Sequence, residues 1–408
     1  MDTSRQPLTL LCLASFEKGH RFLTEAKRQG CRVYLLTSLS LKEKAHWPRE
    51  ALEDVFYMPD DEHQWNLEHT IAAVSHLYRT VLLDRIVPLD DFDLEKAAAL
   101  REHLRIPGMG ETHTRYFRDK LAMRIRTAEQ SIQVPRFVHA LNYETVGRFL
   151  ETVPGPWVFK PRLMAGALGI KKCSHAQEVW DHIHHVGDDQ ANFLIEEFVP
   201  GDVLHVDSIW FQGEMRYAVA SAYGRPPLEV SQGGGIFVTR LLERGSRLES
   251  AVIRFNERVL KTMGLENGVS HTEFIHAHHN GELYFLETSA RVGGAHISDL
   301  IEHATGINMW TEWAKIEVAS ALGDDYTPPQ PGDDYAGLLV SLARQEWPDT
   351  SSFNDPEMVW RMDKRHHVGF IVKSHERRRV DELLFQYAER VRNDYHASAP
   401  ALDRARED

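Results

Sequence analysis

Apolar runs of strand length and helical stripes alternate over the first hundred residues. LTLLCLA (8–14) and RVYLLTS (32–38) flank a polar helical stretch ending near Gly30, and TVLLDRIVPL (80–89) leads into the helical LEKAAALREHL (94–104). Strands separated by helices predict a parallel α/β layer. IPGMG (106–110) interrupts the pattern and marks a boundary. RDKLAMRIRTAEQ (118–130) then reads as a helix, VPRFVHA (134–140) as extended chain, and residues 143–150 as a second helix. PWVFKPRLMAGALGIKKC (156–173) reads as a strand followed by a loop of small residues. Ser174 with Gln177, and Ser246 with Glu249, have capping-box spacing. The second box opens a helix with Val252, Phe255, Val259 and Met263 on its apolar side and a stop at Gly264. PPQPG (328–332) predicts a linker, after which LLVSLARQEW, HVGFIVKSH and VDELLFQYAERV predict a small α+β lobe. The tail after Tyr395 is expected to fray.

The strongest local signal is Asn280-Gly281 between HTEFIHAH and ELYFLETSA, which predicts a hairpin. A strict two-residue turn would put Glu273 and Glu287 on opposite faces. A three-residue loop over 279–281, with Gly281 left-handed, pairs 278 with 282 and sets Glu273 directly across from Glu287. We expect that register or a bulge equivalent to it. Ser289 and Arg291 then share the face by alternation. The plain alternative is an edge hairpin with solvated acids. Two facing carboxylates, however, repel unless a proton or cation lies between them. Oxygen donors of this kind suit magnesium, which also binds nucleotide phosphates. Arg291 adds a planar donor fork for a carboxylate or phosphate, and Gly293 and Gly294 let a ligand approach backbone N–H groups at a helix start.

Positive charge for such a site comes from Lys160, at the end of WVFK, and from Lys120, in a helix 40 positions earlier. The loop after Lys160, with Gly166 and Gly169, is suited to close over phosphates, and SQGGGIF (231–237) is a second candidate lid. FLIEEFVPG (193–201) is either an ordinary buried strand meeting a turn or a hinge whose backbone bonds a flat base.

Composition narrows the partners. The chain has 408 residues and a formal charge of -13, from 60 acids against 47 bases, with no long basic block, which argues against nucleic acid. Three cysteines without a CxxC pair argue against a disulfide framework or a thiolate zinc site and fit a reducing cytoplasm. No apolar run has membrane-spanning length and no signal peptide opens the chain. The histidine clusters at 182–185 and 276–279 read as solvated faces. The turn ASFEKGH lacks GxGxxG, so nicotinamide and flavin are not expected.

In combination, a helix lysine, a strand lysine with a small-residue loop, an EEFVPG hinge and a two-acid hairpin ending in TSARVGGAH resemble the ATP-grasp superfamily, in the arrangement of biotin carboxylase and L-amino-acid ligases. The resemblance implies an α/β and α+β chain in three units. These are a Rossmann-like domain (1–107), an ATP-grasp domain (108–327) with a lid subdomain over about 124–200, and a C-terminal α+β lobe (328–408). It implies that Lys120, Lys160, Gly166 and Gly169 hold the phosphates of ATP and that Glu196, Glu197, Phe198 and Val199 line the adenine hinge. Glu273, Glu287 and Ser289 would bind magnesium, or manganese in its place, with Ser289 standing where relatives usually have Asn. Arg291 would hold the acyl phosphate or the substrate carboxylate, with Lys160 as its catalytic partner. Val203 stands where many relatives have a ribose-binding Glu, and His205 or Asp207 would substitute. The implied activity is ATP-dependent joining of a small-molecule carboxylate and an amine through an acyl phosphate, in a cytoplasmic enzyme whose relatives often form dimers. A biotin-type or purine-pathway carboxylase and a non-catalytic ATP-binding protein are the alternatives. Tyr223, Arg225, Arg240 and His271 are further candidates for the substrate pocket.

Overall fold

The structure, a computed structural model, describes residues 6–398. Its first unit is a parallel sheet of four strands in the order Asp54–Met58, Arg32–Ser38, Thr9–Ala14, Arg85–Pro88. The strand expected over 80–89 forms only at Arg85–Pro88, because Asp84 turns its carboxylate to accept the Thr9 N–H at 2.7 Å. The Asp54–Met58 strand, whose apolar run is only the four residues 55–58, was not anticipated. Strand order reverses between Thr9–Ala14 and Arg85–Pro88, so a crevice opens beyond their carboxyl ends. Ser15 and Asp90–Asp93 gather there. Burial pushes the Asp93 carboxyl up to about 6, although the Ser15 N–H donates to it at 2.9 Å.

A small antiparallel sheet follows, in the order Phe137–His139, Phe193–Glu197, Trp157–Pro161, Lys171–Cys173. The helices Tyr143–Thr152 and Ala176–Val186 back it through Val146, Phe149, Val179 and Ile183. The helix Lys120–Glu129 packs instead on Arg247–Met263, with Arg126 Nε donating to the Thr262 carbonyl at 3.0 Å. We therefore place the start of the small unit nearer 134 than 124. At Ser246 the hydroxyl accepts from the Glu249 N–H at 3.1 Å as expected, while the Glu249 carboxylate accepts from the Gly245 N–H; the box expected at Ser174 shifts, with Glu178 accepting from the Ser174 N–H at 2.6 Å and the helix starting at Ala176.

The largest sheet has eight antiparallel strands, in the order Leu283–Ser289, Gly268–Ala277, Gly201–Phe211, Glu214–Tyr223, Phe237–Leu241, Tyr335–Leu342, His367–Ser374, Met358–Arg361. It runs straight across the expected 328–332 linker, since Thr239 pairs with Leu338. The C-terminal strands thus extend the central sheet rather than forming a lobe of their own, covering an edge that would otherwise present unpaired backbone groups. The tail is tied as far as Ala397, whose N–H donates to Leu342, and the rest of the stretch expected to fray lies outside the described residues.

On one face of this sheet Leu204, Val206, Phe274 and Phe285 bury against Val252, Val259 and Met263 of the long helix. On the other, Ile209, Phe211 and Val269 pack on the helices Ile297–Thr305 and Met309–Leu322. Farther along that second face the pattern turns polar: His205, Asp207, Tyr223, Thr239, His271 and Glu273 lie where apolar residues would continue the core. Among the described residues no helix is long and apolar enough to cross a membrane.

Candidate active site

The hairpin reaches the expected alignment by a different route. Ala277 pairs with Glu282, the loop is 278–281, and Gly281 is left-handed at φ 70°. From His276↔Leu283 to Phe274↔Phe285 this register would miss the acids, but the ladder slips at Leu286 and pairs Glu273 with Glu287. The bulge turns the Leu286 carbonyl toward Arg124, whose Nη2 donates to it at 2.6 Å.

Arg124 lies one turn beyond Lys120 on the helix capped by Asp119, so both basic groups face the hairpin. Lys120 Nζ lies 3.1 Å from Glu287 Oε2 and donates to the Met164 carbonyl of the small-residue loop at 2.5 Å. Glu196 bridges two cations, with Lys160 Nζ at 2.7 Å from Oε2 and Arg124 Nε at 2.7 Å from Oε1. Lys160, Arg124 and Glu196 are 3%, 0% and 2% exposed. Burial and the neighbouring Arg124 push the Lys160 ammonium down to about 8, against the pull of Glu196. Glu196 itself stays below the ordinary carboxylate range because the two cations overcome its burial. Arg124 escaped the sequence reading; its one signal there is the i,i+4 spacing from Lys120 in RDKLAMRIR.

Several expected residues point elsewhere. Glu196 is locked between its cations. Glu197 gives its carboxylate to Arg136, Phe198 lies under the Lys172 ammonium at 3.6 Å from the ring centroid, and Val199 packs with Ile275 and Tyr284. His205, expected beside a ribose, is fully enclosed, with Asp207 on one ring nitrogen and Thr239 on the other. Ser289 donates its hydroxyl to Asp91 of the first unit, which is also paired with Arg118 at 3.3 Å. Asp91 stays ionised because Arg118 and Arg291 outweigh its burial. Arg291 donates through Nη1 to the Val292 carbonyl at 2.8 Å, while its buried Nε has no hydrogen-bond partner among the described residues. Gly166 and Gly169 are left-handed at φ 69° and 68°, conformations that glycine adopts without strain. The stretch 231–237, expected as a lid, is helical through Gly233, and Ile236 is anchored in the cluster around Leu384.

Behind Glu273 lies a buried polar array centred on Asp207. Its Oδ2 is 2.8 Å from His205 Nδ1 and its Oδ1 is 2.9 Å from His271 Nδ1. Tyr223 donates to Glu273 Oε1 at 2.7 Å, and His271 Nε2 is 3.7 Å from the same oxygen. Burial opposes charge on His271, yet Asp207 beside it raises the imidazole to about 9. Glu273 is held below the ordinary range, its burial outweighed by His271 and Tyr223. His205, Asp207 and His271 form one of two groups among the described residues with metal-ligand spacing; in the other, Asp333 and His375 are exposed and Asp334 is half-buried and paired with Lys373 at 2.8 Å. Of the histidines in the sequence clusters, His182 stacks on Phe159 and His278 pairs with Asp202 at 3.2 Å. Surface cavities of about 650 and 600 Å³ lie elsewhere, one beside Phe255 and Leu283 and one between Arg240 and Phe385.

No protein-family model matches the chain. An L-arginine-specific L-amino acid ligase of Bacillus subtilis is 25% identical over 281 residues, 67% of this chain and 65% of the relative. An alanine–anticapsin ligase of Bacillus subtilis (strain 168) is 21% identical over 280 residues, 63% of this chain and 58% of the relative. The chain thus spans less than two thirds of the length of these relatives. Among solved structures, an L-amino acid ligase from Bacillus licheniformis superposes with a TM-score of 0.73 at 17% identity, covering 96% of this chain and 99% of that one. An N5-carboxyaminoimidazole synthetase from Staphylococcus aureus complexed with ADP gives 0.70 at 14% identity, covering 95% and 98%. With a Rossmann-like first unit, a small antiparallel sheet carrying one lysine, and a large antiparallel sheet carrying the acid hairpin, the chain has the ATP-grasp fold and is similar in sequence to amino acid ligases.

Proposed function

We propose that this chain is an ATP-dependent carboxylate–amine ligase for small amino-acid-type substrates, acting through an acyl phosphate. The observation that carries this reading is the meeting of Glu287 with Glu273 across the ladder and with Lys120 Nζ at 3.1 Å. Opposed acids beside a buried ammonium suit a phosphate–cation complex and have no role in an ordinary edge hairpin.

Glu273 and Glu287 fit a divalent magnesium ion: both offer hard carboxylate oxygens, and Glu273 is kept ionised by its neighbours. Once bound, magnesium neutralises charge on the transferring phosphoryl group, and manganese would substitute. Lys120 and Lys160 hold the phosphates from the opposite side. A substrate carboxylate oxygen attacks the terminal phosphorus of ATP as the bond to the ADP oxygen breaks. The amine nitrogen then attacks the acyl carbon, the bond to the phosphate oxygen breaks, inorganic phosphate leaves and the amine gives up a proton. Arg291 fixes the carboxylate with its Nε–H, which has no hydrogen-bond partner among the described residues. The 163–169 loop, tied to Lys120 through Met164, covers the site and keeps water from the acyl phosphate. Unpaired, buried Cys12, Cys31 and Cys173 support a reducing cytoplasmic setting.

The test is phosphate release by the purified protein with ATP and magnesium across amino acids and other carboxylic acids, with mass spectrometry of any condensed product. Substrate-dependent phosphate together with an amide is the expected result. ATP binding without turnover on every substrate set would reject the ligase reading in favour of a binding protein, and a bicarbonate requirement would reject it in favour of a carboxylase.

The low Lys160 pKa adds a quantitative expectation. With a pKa of about 8 in the free protein, Lys160 is partly neutral at pH 8, and a phosphate beside it favours the charged form. ADP binding should therefore take up about half a proton near pH 8 and almost none at pH 6.5, where the lysine is already charged. Calorimetry in buffers of different ionisation enthalpy measures this, and equal uptake at both pH values contradicts the assignment of Lys160 to the phosphates.

A further inference from the structure

We propose that Asp207 is the hub of a buried chain, Thr239–His205–Asp207–His271, that positions Glu273 to receive a divalent cation. The inference rests on the reading of Glu273 as a cation ligand and goes beyond it by naming what holds that ligand.

The geometry fixes the direction of each link. A carboxylate only accepts, so His205 and His271 both donate to Asp207 through Nδ1, at 2.8 and 2.9 Å, each to a different oxygen. Each ring therefore has only Nε2 left. That of His205 is 2.7 Å from Thr239 Oγ1, which anchors the far end of the chain on a third strand. That of His271 faces Glu273 Oε1 at 3.7 Å, and Tyr223 donates to the same oxygen at 2.7 Å. Both groups hold Oε1. Oε2 has no hydrogen bond or ion pair among the described residues and is the oxygen left for a cation shared with Glu287.

The strands interlock these groups. His205 lies directly across from Glu273, and Asp207 across from His271, so the four side chains interleave on one face. Gly293 closes the array: a Cβ there would lie 2.8 Å from Asp207 Oδ1 and 3.0 Å from His271 Nδ1, leaving no room beside the hub. That closure also decides between two uses of the cluster. His205, Asp207 and His271 have the spacing of a metal site of their own, but both Asp207 oxygens are already taken by ring N–H groups. Groups behind a metal ligand orient it, and removing such a group typically costs about 10–100-fold in metal affinity.

The experiment is a manganese titration of the protein–ADP complex, with free Mn²⁺ read by electron paramagnetic resonance, so that turnover plays no part. His271→Gln and Asp207→Asn should each weaken Mn²⁺ about 10–100-fold while metal-free ADP affinity stays unchanged. Tyr223→Phe, which removes the second hold on the same oxygen, should also weaken it. Thermal melting checks that each variant folds, and His271→Gln keeps the test decisive if Asp207→Asn does not. Unchanged Mn²⁺ affinity in folded His271→Gln overturns the proposal. So does a second bound Mn²⁺ in the unaltered protein that disappears in His205→Gln, because the cluster would then be a metal site itself. Failure of the unaltered protein to bind ADP with Mn²⁺ overturns the ligase reading and the inference together, a result distinct from the other two.

Discussion

Glu287→Gln should abolish ATP turnover without disturbing the fold. The glutamine has nearly the same shape, and the side chain it replaces is 29% exposed, so no buried packing is lost. The bulge that aims position 287 is held from behind by the Arg124 bond to Leu286, which the substitution leaves alone. What disappears is one of two opposed negative charges that make the site favourable for magnesium. Charge stabilisation of a transferring phosphoryl group is worth about 10²–10³ in rate for a single lost contribution, so kcat should fall at least that far. The same change frees Lys120 from its 3.1 Å ion pair, so metal-free ADP should bind at least as tightly as before. Phosphate release under saturating magnesium and an ADP titration in a chelator measure the two halves. Turnover within tenfold of the unaltered protein, or loss of ADP binding without metal, would contradict the assigned role.

How much of this was legible in the sequence depends on the range of the interaction that fixes each feature. The first-unit strands Thr9–Ala14 and Arg32–Ser38, the helix stop at Gly264 and the left-handed Gly281 are set by neighbouring residues, and the chain announces them locally. The alignment of Glu273 with Glu287 was legible as a requirement but not as a mechanism, because a loop and a bulge give the same facing pair. Arg124 and Asp207 were invisible as structural hubs: beyond the spacing of Arg124 from Lys120 and of Asp207 from His205, each acts on a partner far along the chain, Arg124 on Leu286 and Asp207 on His271. The Ser289–Asp91 bond joins positions 198 residues apart and turns the expected third metal ligand toward the first unit. The pairing of Phe237–Leu241 with Tyr335–Leu342, which merges the expected C-terminal lobe with the central sheet, is likewise a property of register between distant strands.

Arg124→Met should be among the most destabilising single changes in the chain, and its cost should have two parts. The guanidinium is fully buried, 2.7 Å from Glu196 and 2.6 Å from the Leu286 carbonyl. Breaking a buried ion pair by removing one partner costs about 3–5 kcal/mol, and Lys160, still 2.7 Å from Glu196, keeps this case near the lower end. Leaving the bulge carbonyl unsatisfied adds about 1–3 kcal/mol. Urea denaturation reads the total. Adding Glu196→Gln to Arg124→Met leaves the buried Lys160 ammonium without its partner, so the double variant should be less stable than Arg124→Met alone. Recovery of stability in the double variant would mean that the ion pairs to Glu196 contribute nothing. The electrostatics provide an independent check, since Arg124 is one of the groups that depress the Lys160 ammonium. Without it that pKa should rise, leaving more of the lysine charged at pH 8, and the proton uptake expected on ADP binding should shrink in the folded variant.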